Sequence, residues 1–271
     1  MKVHEGLKER GPPGANMDLP RGKPPGEKAL YPQTHVYFAQ RVCGTLSLAL
    51  ALGSIFPDIV AGLTASRTES HGRGKELYEA LAGDPELRDF ARGVITHGVT
   101  PKGLDYYGDE KFLHYERGYC FEKARALVEE TIVACNLPPS LGWWKSHNIV
   151  EMGIELHIGQ EERYGRALAA ALGDRGLLAK VSSRVAAFYG LDPQLLFRRI
   201  HNFLHYIEVA RPTPEKLAAK YDVQMFSRHR IRIDVERTAR LITAAREAVM
   251  PDLEDFFAYV EERVRQGLSD I

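Results

Sequence analysis

The sequence has few cysteines, no excess charge of either sign and no apolar run long enough for a membrane helix. Its three cysteines form no C-x-x-C pair, which argues against a disulfide framework or a cysteine zinc site and favours a reducing cytoplasm. The 36 basic side chains balance the 36 acidic ones, so no whole-chain field attracts nucleic acid or an anionic membrane. The most apolar run, 46–55, is shorter than the ~20 residues that span a bilayer. We therefore expect a cytoplasmic protein with no stable nucleic-acid complex and no transmembrane anchor.

The composition divides the 271 residues into an arm and one domain. Residues 1–32 contain Gly-Pro-Pro-Gly and Pro-Pro-Gly strings among charged residues, and few of their side chains can anchor a core. They are predicted to form a flexible arm, for which a lid or a partner-binding tail is the functional alternative. Nothing after them resembles a long linker, so residues 33–271 are predicted to form a single domain.

Apolar residues recur at three- and four-residue spacing through most of this domain, which predicts an all-α, multi-helix bundle. Thr34 is predicted to cap a first helix that Gly53 and Pro57 end. An Asp-Pro pair at 84–85 opens a second helix. Further helical patterns cover 111–136, 141–158, 161–172, 176–189, 192–208, 213–221, 234–249 and 252–267. Only 228–235 alternates as a strand does, and it is too short to change the fold class.

Several histidines and carboxylates lie on otherwise apolar helical stretches. His147 and Glu151 are four residues apart, so their side chains share one helix face and can hold a cation. His35 and His97 lie on the apolar stripes of two other predicted helices, and Asp58 directly follows an apolar run. One buried histidine is usually a core residue with a single hydrogen-bond partner, but several such groups need a common reason to be desolvated. A shared metal site in the helical core supplies that reason, and imidazole with carboxylate suits zinc, manganese or iron.

These motifs look like the successive metal-ligand motifs of the zinc-dependent phospholipase C family, which is related to the helical P1-type nucleases. The strings that carry the resemblance are Thr34-His35, Leu52-Gly53-Ser54-Ile55-Phe56-Pro57-Asp58-Ile59, Ser70-His71, Gly93-Val94-Ile95-Thr96-His97 and His147-x-x-x-Glu151. The resemblance covers about 34–160 and implies two or three closely spaced divalent metals whose bound hydroxide attacks a phosphoester phosphorus. On this basis 33–160 forms the metal-ligand core and 161–271 adds further helices.

The resemblance carries a ligand set onto this chain. The proposed ligands are His35, Asp58, His71, His97, His147 and Glu151. Asp58 is also the candidate catalytic residue, because it would bridge metals and orient the attacking water. The family has a carboxylate four residues after the histidine at 97, where this chain has Pro101. Asp105 is the proposed replacement, with Asp109 as the less favoured one, because Pro101 forces a turn that can bring a later carboxylate back.

Three cations flank the proposed ligands and are candidate phosphate contacts: Arg73, Lys102 and Lys145. Solvated surface charges are the alternative interpretation of all three. Three functions remain open at this point. The first is a metal-dependent phosphoester hydrolase acting on a phospholipid, a nucleotide or another small phosphoester. The second is an iron-dependent oxidoreductase at the same site, and the third is a non-catalytic or degenerate metal-binding helical protein, which the loss of the carboxylate at Pro101 would favour.

Overall fold

The computed structural model describes residues 31–64 and 66–271, and within these residues it contains fourteen α-helices and no strand. The all-α prediction is confirmed. The helices are α1 Pro32–Cys43, α2 Leu48–Val60, α3 Arg67–His71, α4 Gly74–Ala80, α5 Arg88–His97, α6 Tyr119–Ala124, α7 Val128–Ala134, α8 Gly142–Ile158, α9 Arg163–Gly173, α10 Arg175–Tyr189, α11 Pro193–His201, α12 Pro214–His229, α13 Val235–Val249 and α14 Leu253–Ser269. In the described part of the chain, no helix is long and apolar enough to cross a bilayer.

The predicted first helix is in fact two helices. α1 ends at Gly44, whose φ of 74° is the left-handed conformation that glycine adopts most readily. α2 then runs through Gly53 and Pro57, so the prediction that these residues end the helix is wrong. Every residue of 50–60 is buried, and this packing holds the segment helical although Pro57 has no backbone N–H to donate. The predicted cap at Thr34 is also wrong, because Tyr31 is the N-cap residue of α1.

The start of α1 is held by a carboxylate from another helix. Glu155 of α8 accepts hydrogen bonds from the backbone N–H groups of Gln33 at 3.0 Å and Thr34 at 2.9 Å, and from the Thr34 hydroxyl at 2.8 Å. A buried carboxylate therefore satisfies donors that the first turn of a helix leaves unpaired. This contact fixes the position of α1 relative to α8.

α2 and α5 pack with their backbones in contact. A Cβ atom on Gly53 would lie 2.0 Å from the carbonyl oxygen of Phe90, and one on Gly93 would lie 2.5 Å from that of Leu50. Neither position has room for a side chain, so the two glycines set the separation of the helices. The consequence is that Asp58 on α2 and the C-terminal end of α5 are brought close together.

Other predicted helix boundaries differ from the observed ones where the helices are short. The stretch 111–136 contains α6 and α7 with a 3₁₀ turn between them, not one helix, and the strand-like stretch 228–235 is the end of α12 followed by irregular chain. α3 and α4 have five and seven residues and were not predicted. The helices after 160 bury residues in the same hydrophobic core as those before it. The predicted arm, 1–32, lies outside the described residues except for the buried Tyr31 and Pro32.

Candidate metal centre

Five buried side chains from α1, α2, α3, α5 and the turn after α5 come together in the core. We call this group the His/Asp cluster, and it consists of His35, Asp58, His71, His97 and Asp105. Asp105 is at its centre. One of its oxygens lies 3.5 Å from Nε2 of His35, and the other lies 3.5 Å from Nε2 of His71 and 3.4 Å from Nε2 of His97. Asp58 completes the group, 3.3 Å from His71 Nε2 and 3.8 Å from His97 Nε2.

The separations between neighbouring members of this group fit pairs of ligands on one metal ion. Two ligand atoms about 2.0–2.2 Å from a tetrahedral zinc ion lie about 3.3–3.6 Å from each other. Four of the five distances just given fall in that range, and the fifth is slightly longer. The donors are imidazole nitrogens and carboxylate oxygens with no thiolate among them. This donor set suits zinc, manganese or iron.

The far side of each of two imidazoles is held by a serine. Nδ1 of His97 lies 2.7 Å from the backbone oxygen of Ser54, a contact that the close packing of α2 and α5 makes available. Nδ1 of His71 lies 2.7 Å from the hydroxyl of Ser70. Such contacts to the remote nitrogen orient metal-binding histidines and select their tautomer.

His97 gives the clearest electrostatic sign of a cation site. A backbone oxygen only accepts hydrogen bonds, so Nδ1 of His97 carries a proton and Nε2 faces the two carboxylates. Burial lowers the pKa of His97, but Asp105 and Asp58 outweigh burial and raise this pKa to about 9. Without a metal, therefore, a second proton on Nε2 supplies the positive charge that the carboxylates require. A divalent cation at Nε2 would take the place of that proton.

The remaining imidazoles of this group stay neutral, as metal ligands must be. Burial and the neighbouring His97 lower the pKa of His35 to about 3. Burial and the Arg67 guanidinium lower the pKa of His71. The rings of His35 and His97 stack with their centroids 3.9 Å apart, so a charge on one disfavours a charge on the other.

A second group of possible ligands adjoins the first and is built largely on α8. We call it the α8 cluster, and it consists of Asp109, His147 and Glu151, whose ligand atoms lie within 4.8 Å of one another. His147 and Glu151 are one turn apart, with Nε2 and Oε1 separated by 3.9 Å. The His147 ring stacks on Phe121 with the centroids 4.1 Å apart. Asp109 comes from the π-helical turn Tyr106–Glu110 that follows Asp105.

Arg67 of α3 links the two clusters. One nitrogen of its guanidinium lies 3.0 Å from an oxygen of Asp105 and 3.0 Å from an oxygen of Asp109. The six predicted ligands thus fall into two adjacent clusters, and both predicted replacements for the carboxylate at Pro101 take part. Arg67 itself was not predicted. It lies one helical turn before His71, but the five-residue α3 is too short to show apolar periodicity.

The three predicted phosphate contacts lie against other partners. Arg73 donates to Glu76 and stacks on Phe188, and the ammonium of Lys102 lies over the ring of Tyr106. Lys145 is buried, with its nitrogen 3.2 Å from Nε2 of His229. Arg67, which was not one of the three predicted residues, is a cation that contacts both clusters.

Comparisons with known proteins returned nothing. No family model matches the chain, and neither the curated proteins nor the solved structures gave a match. The function must therefore be inferred from the two clusters themselves.

Proposed function

We propose that the chain is a metal-dependent phosphoester hydrolase whose ions, zinc first and manganese or iron as alternatives, are held by the His/Asp cluster and the α8 cluster. The single observation that carries this proposal is His97, whose backbone contact at Nδ1 turns Nε2 toward Asp58 and Asp105 in the absence of solvent. The Arg67 guanidinium balances only part of the charge of these buried carboxylates, so a cation or an extra proton is needed to balance the rest.

One shared ligand, His97, limits how many ions the His/Asp cluster can hold. His97 belongs to two of the three possible ligand groups, one with His35 and Asp58 and the other with His71 and Asp105. One imidazole nitrogen binds one ion at a time, so the His/Asp cluster holds a second ion only if a carboxylate is shared between the two. With one ion in the α8 cluster, the arrangement supports the two or three ions that the sequence resemblance implies.

Two adjacent divalent ions would lower the pKa of a bound water and hold both the attacking and the leaving oxygen of a phosphoryl group. The chain supplies the arrangement around them. Asp58 and Asp105 both face Nε2 of His97, and Arg67 keeps Asp105 and Asp109 oriented toward each other. The Arg67 side chain is 22% exposed, whereas those of His71 and His97 are fully buried. A phosphoester would therefore enter from the Arg67 side.

A specific observation favours a second candidate function. The Arg67 guanidinium already places one positive charge between Asp105 and Asp109, as a structural counter-charge would do. In a non-catalytic protein this charge, together with protonated His97, would partly balance the carboxylates without any metal. An iron-dependent oxidoreductase remains the third candidate, because iron accepts the same donor set.

Metal analysis and phosphoester hydrolysis distinguish these candidates. The protein would be purified without added metal, its zinc, manganese and iron measured per chain, and its turnover of bis(p-nitrophenyl) phosphate and p-nitrophenyl phosphate recorded. We expect zinc in the wild type, loss of one ion in His147→Ala, and loss of most turnover in His147→Ala and Asp58→Asn. The exposed His201→Ala is the control and should match the wild type. A wild type with no divalent metal, or one with full metal and no hydrolysis, would contradict the proposal.

A further inference from the structure

Tyr31, at the start of α1, has a hydroxyl group that makes no hydrogen bond to any described residue. The side chain is 4% exposed, and its oxygen is buried with no hydrogen-bond partner in the described part of the chain. A buried hydroxyl without a partner destabilises a protein, because it has lost its hydrogen bonds to water and gained none. Such a group needs an explanation.

The hydroxyl points into the region between the two clusters. The Tyr31 ring lies 4.7 Å from that of His35, centroid to centroid. Its oxygen faces Gly108, the residue before Asp109, since a Cβ atom on Gly108 would lie 3.4 Å from it. The same Cβ atom would lie 3.7 Å from the sulfur of Cys120, so a side chain at position 108 would be placed beside the hydroxyl and glycine leaves that position unfilled.

The charges around Tyr31 come from both clusters. Glu151, Asp105 and Asp109 all act electrostatically on its oxygen. A tyrosine side chain ordinarily keeps its proton at neutral pH, so the group is a hydrogen-bond donor. An electronegative acceptor placed between the clusters would give this donor the partner that it lacks.

We infer that the Tyr31 hydroxyl is a substrate-contacting donor, which gives a hydrogen bond to an oxygen of a phosphoryl group bound between the His/Asp cluster and the α8 cluster. This inference rests on the proposed function. Phosphoryl oxygens are strong acceptors, and a hydrogen bond to a charged acceptor is stronger than a neutral one. A neutral hydroxyl can also donate to a phosphoryl oxygen beside bound metal ions without adding a charge to the site.

The test uses Tyr31→Phe, which removes only the oxygen. Tyr119→Phe is the matched control, because Tyr119 is equally buried but its hydroxyl already donates to Asp252 at 2.7 Å. For the wild type and both variants, zinc content per chain, the affinity of the zinc-loaded protein for inorganic phosphate by calorimetry, and the Tm of the metal-free protein would be measured.

We expect Tyr31→Phe to keep the wild-type zinc content, to bind phosphate about tenfold more weakly, and to have a metal-free Tm about 2–4 °C higher, because an unpartnered buried polar atom is gone. Tyr119→Phe should show the opposite pattern, with a lower Tm and unchanged phosphate affinity. If Tyr31→Phe keeps both the zinc content and the phosphate affinity of the wild type, this inference is overturned and the proposed function is not affected. Loss of zinc in Tyr31→Phe would also overturn it, since the oxygen would then be a metal ligand. A wild type that takes up no zinc would overturn the proposed function, and this inference with it.

Discussion

The His/Asp cluster collects its ligands from five separate segments, whereas the α8 cluster takes two of its three from one turn of a single helix. In the first, Nδ1 of His97 donates to the backbone oxygen of Ser54, and Nδ1 of His71 lies within hydrogen-bonding distance of the Ser70 hydroxyl. In the second, the His147 ring stacks on Phe121. The comparison shows two ways of positioning side chains that could bind a metal ion. The first depends on how closely whole helices pack, and the second depends mainly on local helix geometry.

The largest effect is expected from Gly53→Ala, which should damage the His/Asp cluster and spare the α8 cluster. The added methyl would meet the Phe90 carbonyl oxygen at 2.0 Å, so α2 and α5 must separate. We expect a loss of about 3 kcal/mol in the free energy of unfolding, measured in urea, together with loss of metal from the His/Asp cluster. The control is Gly267→Ala in α14, where the added atom meets nothing within 4 Å and stability should not fall. Equal behaviour of the two variants would contradict the role of close helix packing.

Arg67→Gln should affect both clusters, because it removes the charge between Asp105 and Asp109. We expect the metal-free variant to lose about 2–3 kcal/mol of stability, since two carboxylates lose their counter-charge. Zinc should restore much of this loss, so the rise in Tm on adding zinc should be larger than in the wild type. Arg73→Gln is the control, as Arg73 pairs with Glu76 at the surface. An equal rise in Tm in wild type and Arg67→Gln would show that Arg67 does not balance the negative charge of Asp105 and Asp109.

Glu155 makes stability depend on pH through the attachment of α1. Burial raises its pKa to about 7 from an ordinary value of 4.5, although hydrogen bonds from Gln33 and Thr34 oppose the shift. Between these pH values the folded protein holds a proton on Glu155 that the unfolded chain has lost. The contribution of this proton to the free energy of unfolding is therefore complete below pH 4.5 and is lost as the pH rises to 7. The expected loss is about 3 kcal/mol. Urea unfolding from pH 4.5 to 8 should therefore show a flatter profile for Glu155→Gln than for the wild type or the exposed Glu79→Gln. If the free energy of unfolding changes with pH in the same way in Glu155→Gln and in the wild type, the prediction is wrong.

The smallest effect is expected from Ser70→Ala, which tests the comparison most specifically. Ser70 and Ser146 each precede a proposed histidine ligand, but Ser70 contacts Nδ1 of His71, while Ser146 donates to the carbonyl oxygen of Gly142 in its own helix. Removing the Ser70 hydroxyl should weaken zinc binding at the His/Asp cluster about tenfold and leave the α8 cluster unchanged. Ser146→Ala should change neither affinity. Zinc titration against a competing chelator measures the affinity of each cluster. Similar zinc affinities in Ser70→Ala and Ser146→Ala would show that the Ser70 hydroxyl does not orient His71 for metal binding.

The sequence predicted much of this architecture because long amphipathic helices carry a strong periodic signal. α8, α13 and α14 lie within two residues of their predicted bounds. The glycine and proline inside α2 misled the prediction, since the burial of 50–60 on all sides outweighs the helix-breaking tendency of both residues. Arg67 had no signal because its helix is so short. The partners of His71 and His97 depend on how α2, α3 and α5 pack, which no local pattern contains.

α8 also has a consequence for how the two clusters communicate. His147, Glu151 and Glu155 follow one another at four-residue intervals and are all buried, so they occupy one face of this helix. The first two belong to the α8 cluster, and Glu155 holds the first turn of α1, which carries His35. A rotation of α8 about its axis would therefore move both sets of ligands together. Metal ions bound at both clusters would be coupled through this rotation, and thermodynamic reciprocity would require each to change the affinity of the other by the same factor.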